Sequence, residues 1–128
     1  MSSRRLISSG SSFEAIMGYS RAVVEGSDVF VSGTTGFNYA TMTISADPVE
    51  QTRQAFANIA AALAQANCTL DDVVRVRYLL TDVALFDALA PIFGEYMAKA
   101  RPAATAMVVG LLDPRMVIEI EVTARTRN

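Results

Sequence analysis

The segment that most restricts the fold is Val117-Ile118-Glu119-Ile120-Glu121-Val122-Thr123. Apolar, mostly β-branched residues alternate with polar ones, a period of two that suits a half-buried strand. Ile118, Ile120 and Val122 must face a core, and Val117, Glu119, Glu121 and Thr123 the opposite side. The strand therefore needs elements that cover one face and a partner for the acids on the other.

Two helices supply the cover. In "ADPVEQTRQAFANIAAALAQAN", Asp47 suits the N-cap, Pro48 the first helical position, and Glu50 completes a capping box. Thr52, Phe56, Ile59 and Leu63 recur at helical spacing, which predicts one buried face and an end near Asn67. A second helix is predicted within residues 85–97, with Phe86, Leu89, Phe93 and Met97 as its inner stripe. Pro91 should kink it or mark its start, because proline removes a backbone donor.

The remaining strands follow from punctuation and parity. Residues 4–7 read as a short first strand, 8–18 as a Ser/Gly-rich loop, and 19–24 as a strand entering a tight turn at 25–28. Residues 29–32 return as a hairpin and end in Gly33-Thr34-Thr35-Gly36, where two glycines permit a bend or a close approach to a ligand. Residues 73–80 form a strand with Val74, Val76, Tyr78 and Leu80 towards the helices and Val73, Arg75, Arg77 and Leu79 away from them. Strands at 105–109 and 117–124 complete the order β-β-β-α-β-α-β-β. The expected fold is α+β, a single domain over residues 1–128, with a mixed sheet and both helices on one face.

Composition narrows the function. Hydrophobic residues make up 52% of the 128 and charged residues 19%, which is globular and apolar enough to expect a second surface buried between subunits. A net charge of −2 argues against a nucleic-acid partner. No apolar stretch approaches the roughly 20 residues of a membrane span, and no apolar run follows the N-terminal arginines as in a secretory signal. The lone Cys68 fits a reducing cytoplasm and reads as a packed residue. Histidine is absent, which removes the commonest general base, the histidine-activated nucleophiles and most zinc sites. No metal or other cofactor is expected, and chemistry must come from carboxylates, arginine, tyrosine, hydroxyls and backbone. By parity Arg75 and Arg77 share the face of Glu119 and Glu121. That face is either a solvated, charge-paired surface or a polar cavity between subunits.

Gly18-Tyr19, "VSGTTG" at 31–36, "EQTRQAFANIAAAL", "RPAATA" at 101–106 and "IEIEVTA" at 118–124 together resemble the RidA/YjgF/YER057c/UK114 family, from Tyr19 to Ala124. The resemblance implies a chorismate-mutase-like fold and a homotrimer with small-molecule clefts between subunits. Many members hydrolyse reactive imines and enamines derived from amino acids, releasing ammonia. Carried over residue by residue, Tyr19 matches the family's cleft tyrosine, and Ser32 and Gly33 its Ser-Gly turn, with Thr34 beside them. Glu119 matches the carboxylate linked to the reacting water.

Three positions depart from the pattern. The arginine that clamps the substrate carboxylate in the deaminases is Ala104, the cysteine two residues on is Ala106, and an asparagine of the second helix is Ala90. The chain thus resembles a subgroup that lacks the deaminase arginine. Arginine grips a carboxylate through a planar fork that alanine cannot imitate, so a 2-imino acid loses its anchor and its orientation. Arg77 and Arg21 are candidates to supply the missing guanidinium, although Arg77 equally suits neutralisation of Glu119. Ser32, without a histidine, is a hydrogen-bonding group rather than a nucleophile. Two functions stay open: hydrolysis of an imine, enamine or related carbonyl-derived metabolite, with Glu119 and Tyr19 at the reacting atoms, or metabolite binding without catalysis. The endoribonuclease and translation-inhibitor labels of some relatives fit poorly with the charge and with the lack of a basic or aromatic tract. Glu119 is expected in a cleft beside Arg77, and Glu121 as a structural charge.

Overall fold

In the computed structural model, which describes residues 4–127, the alternating segment forms β8 (Ile118–Arg125) in the interior of a six-stranded sheet. The other strands are β1 (Arg5–Ile7), β2 (Ala22–Glu25), β3 (Asp28–Thr35), β6 (Val73–Leu80) and β7 (Ala103–Val108). They lie in the order β1-β2-β3-β8-β6-β7, antiparallel except for the parallel pair β6 and β7. Ile118, Ile120 and Val122 are buried, while Glu119, Glu121 and Thr123 are only partly covered, as the alternation requires.

Helices α2 (Pro48–Ala64) and α3 (Phe86–Met97) close the apolar face. Thr52, Phe56, Ile59 and Leu63 are all fully buried, and each large side chain withdrawn from water contributes about 1.5–3 kcal/mol. Phe56 of α2 stacks on Tyr96 of α3 at 4.3 Å, and Phe93 of α3 stacks on Tyr78 of β6 at 3.8 Å. These rings tie both helices to each other and to the sheet. Cys68 is buried in the same core, where burial pushes its thiol up. Among the described residues no helix is long and apolar enough to cross a membrane.

Several local expectations need correction. Asp47 occupies the N-cap with extended backbone, but its side chain makes no cap hydrogen bond, so the capping box with Glu50 does not form. Val74 is 46% exposed and Val73 is buried, because a register shift between Val73 and Arg75 against β8 reverses parity at the start of β6. Phe86, at the first turn of α3, is 42% exposed, while Leu89, Phe93 and Met97 are buried. Pro91 lies within α3 rather than at its start. The expected loop at 8–18 holds a short helix, α1 (Ser12–Met17), and β2 begins at Ala22 rather than Tyr19. A small hairpin, β4 (Phe37–Asn38) with β5 (Thr43–Ile44), was not expected. Phe37, Tyr39 and Met116 form a second, smaller core beside it, against which Phe13 of α1 packs.

Candidate functional site

The carboxylate side of β8 is shaped by an irregularity in β3. Val31 pairs with Val122 and Thr34 with Ile120, so three steps along β3 match two along β8. The extra residue makes a bulge at Ser32-Gly33, and bulges re-aim side chains where a sheet carries a site. Here the bulge lies directly over Glu119: a Cβ built on Gly33 would collide with the Glu119 carboxylate. Glycine lets the bulge approach that carboxylate without displacing it.

Around that contact lies a cavity of about 340 Å³ lined by Tyr19, Ser32, Gly33, Tyr39, Asp113 and Glu119, with apolar walls from α1 and the loop before β8. Gly18 ends α1 with its N–H on the Glu14 carbonyl, which delivers Tyr19 to the cavity edge. Ser32 donates its hydroxyl to the Ser20 carbonyl at 2.6 Å, so its proton is committed while its lone pairs remain available. The Tyr39 hydroxyl accepts from the Thr35 N–H at 2.9 Å and is thereby fixed. Asp113 is neutralised by Arg115 at 2.8 Å, which holds its carboxyl down at about 2.

Glu119 is the exceptional group. Burial pushes its carboxyl above the ordinary carboxylate range; the charge of Arg21 pulls it back, and neighbouring Glu121 adds to the rise. Burial outweighs the arginine. A carboxyl so placed can exchange a proton near neutral pH more readily than an exposed one.

Tyr19, Ser32, Gly33 and Glu119 are thus brought together as expected, and three other candidates are not. Arg77 is half-exposed, lies directly across from Glu121 in the β6–β8 register and pairs with it at 3.3 Å; Leu79, not Arg77, stands opposite Glu119. Thr34 is fully buried, donates to the Ser32 carbonyl at 2.7 Å and accepts from Arg21, so it faces no ligand. Arg21 is 1% exposed. Its Nη1 donates to the Gly33 carbonyl at 2.8 Å and to Thr34 Oγ1 at 3.1 Å, and its Nη2 to the Tyr19 hydroxyl at 3.1 Å. Its guanidinium sits behind the cavity wall.

Ala104 lies elsewhere, in a groove of about 390 Å³ between β6, β7 and the end of α3 that also contains Arg101. Sequence reading missed the contribution of α1, whose Phe13 and Met17 line the cavity. A signal was present: Ser11 followed three residues later by Glu14 is a helix-start pattern, and Ser11 does cap α1 by accepting from the Phe13 N–H. Among the described residues no group of three histidine, cysteine or acidic side chains is arranged to hold a metal ion.

The family model described as "Endoribonuclease L-PSP" matches residues 9–126. An uncharacterized protein of Streptomyces coelicolor is 36% identical over 94% of this chain and 90% of its own length. A 2-iminobutanoate/2-iminopropanoate deaminase of Capra hircus is 33% identical over 94% of this chain and 89% of its own length. Among solved structures, a YjgF/YER057c/UK114 family member from Mycobacterium tuberculosis superposes with a TM-score of 0.88 at 40% identity, covering 97% of this chain and 100% of that one.

Proposed function

This chain belongs to the endoribonuclease L-PSP family and is similar to a YjgF/YER057c/UK114 protein, and we propose that it hydrolyses small imines or enamines that carry no carboxylate. The observation that carries this reading is Glu119: a partly buried carboxyl with a raised pKa, in a cavity wall beside Tyr19 and Ser32. Water adds to the C=N carbon while Glu119 takes its proton and passes it to the nitrogen, which gives a carbinolamine. Glu119 then carries the carbinolamine hydroxyl proton to the departing nitrogen, so ammonia leaves, the carbonyl product forms and Glu119 returns to its starting state. A positioned acid/base of this kind contributes about 10²- to 10⁴-fold.

The charge of the lining supports the restriction on substrate. Among the described residues its ionisable acids are Glu119 and Asp113, and no arginine or lysine lines the cavity. Arg21 is committed to backbone and hydroxyl acceptors, Arg77 pairs with Glu121, and alanine stands at position 104. The Capra hircus relative is named for substrates that do carry a carboxylate, so this chain is proposed to differ from it in specificity. RNA cleavage, the activity in the family model's description, gains no support from an acidic cavity in a chain without histidine.

The active form is proposed to be a homotrimer, with a neighbouring subunit closing the cavity. All six residues of the sheet-edge strand β7 are exposed, and an uncovered edge of this kind invites pairing with another chain. The cavity rim is apolar, with Met17 58% and Leu112 85% exposed.

The test presents the protein with two imines made in situ, one from a primary amine by an amine oxidase and one from alanine by an amino-acid oxidase, with the remaining imine trapped by semicarbazide. The carboxylate-free imine should be consumed roughly a hundredfold faster than 2-iminopropionate. The opposite preference would overturn the restriction and direct attention to Arg101, in the groove beside Ala104.

A further inference from the structure

Arg21 presents a problem that the proposed reaction does not explain. A guanidinium that is 1% exposed is expensive to bury and is normally matched by a carboxylate. No ion pair to Arg21 is formed among the described residues; its donors go instead to neutral acceptors.

Two of those acceptors belong to one wall of the cavity. Gly33 and Tyr19 receive hydrogen bonds from the guanidinium, and the Ser32 N–H donates to the Arg21 carbonyl at 2.9 Å. The guanidinium carbon lies 4.5 Å from the Tyr39 ring centroid and 5.5 Å from that of Tyr19. Three lining residues, Gly33, Tyr19 and Tyr39, therefore hang on one side chain, and Ser32 on the same residue's backbone. Holding the Gly33 carbonyl fixes the bulge against which the Glu119 carboxylate lies.

We propose that Arg21 is a positioning residue: its buried guanidinium sets the Ser32-Gly33 bulge, Tyr19 and Tyr39 as one rigid wall and presents its charge to Glu119 from behind that wall. The inference rests on the role proposed for Glu119. Other groups also act on that carboxylate. Glu121 follows it on β8 with Arg77 opposite, Asp113 faces the same cavity in its pair with Arg115, and Tyr19 and Tyr39 complete the ionisable lining. Arg21 is the cation whose charge acts directly on Glu119. Its second anionic neighbour, Glu14, is held by the Ser9 N–H and hydroxyl at 2.9 and 2.6 Å, outside the cavity. A charge held back from the cavity can bias a carboxyl without binding the substrate, which distinguishes this role from a clamp.

The experiment follows the Glu119 carboxyl by carbon-13 NMR through a pH titration of the full chain, as wild type, Arg21→Gln and Arg21→Lys. Removing the charge in Arg21→Gln should raise the Glu119 midpoint, while Arg21→Lys should keep it close to wild type. Both variants lose the planar hydrogen-bond set, so imine hydrolysis should fall in both, by up to about a hundredfold. A folded Arg21→Gln protein with an unchanged midpoint overturns the proposal. Should that variant not fold, the nitrogen-15 signals of the Arg21 guanidinium decide the matter. They should follow the Glu119 titration in wild type and lose that response in Glu119→Gln; no response in wild type overturns the proposal equally. A shifted midpoint without imine hydrolysis would refute the reaction and leave the coupling standing. Hydrolysis without a shift would do the reverse.

Discussion

Glu119 is a residue that folding would sooner have neutral. Its folded pKa lies above the unfolded value because burial penalises the anion. The folded state therefore holds the proton more tightly than the unfolded chain does. The associated stability is fully present below the unfolded pKa and is lost as pH rises through the folded one. Glu119→Gln escapes that loss. It should melt higher than wild type near neutral pH, and the advantage should vanish below about pH 4, where an ordinary glutamate is protonated in both states. Melting curves at the two pH values check this; a variant less stable at neutral pH would show Glu119 to be a structural partner. Gly33→Ala probes the same carboxylate from the other side. The added methyl meets the far end of a flexible side chain, which can swing away, so the unfolding midpoint should barely move while activity falls.

At the scale of elements, the same substitution three residues on has a different outcome. A Cβ on Gly36 would run into the Cα and carbonyl of Gln51, on the buried face of α2. Gln51 cannot yield, since its side chain receives the Val117 N–H and donates to the carbonyls of Ser45 and Arg115. Gly36→Ala should therefore cost about 1–3 kcal/mol, read from urea unfolding, where Gly33→Ala costs little. These elements also show what was legible in the sequence. The β8 alternation and the α2 stripe were plain because each rests on a long, regular period. The acid-bearing face of β8 was readable from the same alternation, and Tyr19, Ser32 and Gly33 line one cavity with Glu119. The Arg77–Glu119 pair failed for a reason parity cannot see: parity says which side a residue faces, whereas register decides which residue stands opposite, and register gives Arg77 to Glu121. Arg21 failed differently. An arginine reads as exposed, and nothing local signals that a bulge eleven residues later will bury it.

For the whole molecule, the proposed site depends on assembly. The exposed edge strand β7 and the apolar rim of the cavity call for a partner surface, and sedimentation at micromolar concentration should find a species of about three chains. Met107, 40% exposed on β7, is a place to break it: Met107→Lys should shift the protein towards monomer, and a wild-type monomer would remove the closing subunit from the model of the site. Whether the partly buried Glu119 carboxyl moves the protons of imine hydrolysis is decided by one rate comparison. The kcat/KM for a carboxylate-free imine is measured for wild type and for Glu119→Gln in the same oligomeric state. Wild type should accelerate hydrolysis over buffer, and the variant should fall by about 10²- to 10⁴-fold while remaining folded. Equal rates for the two proteins would contradict the claim, as would a wild-type rate no faster than buffer.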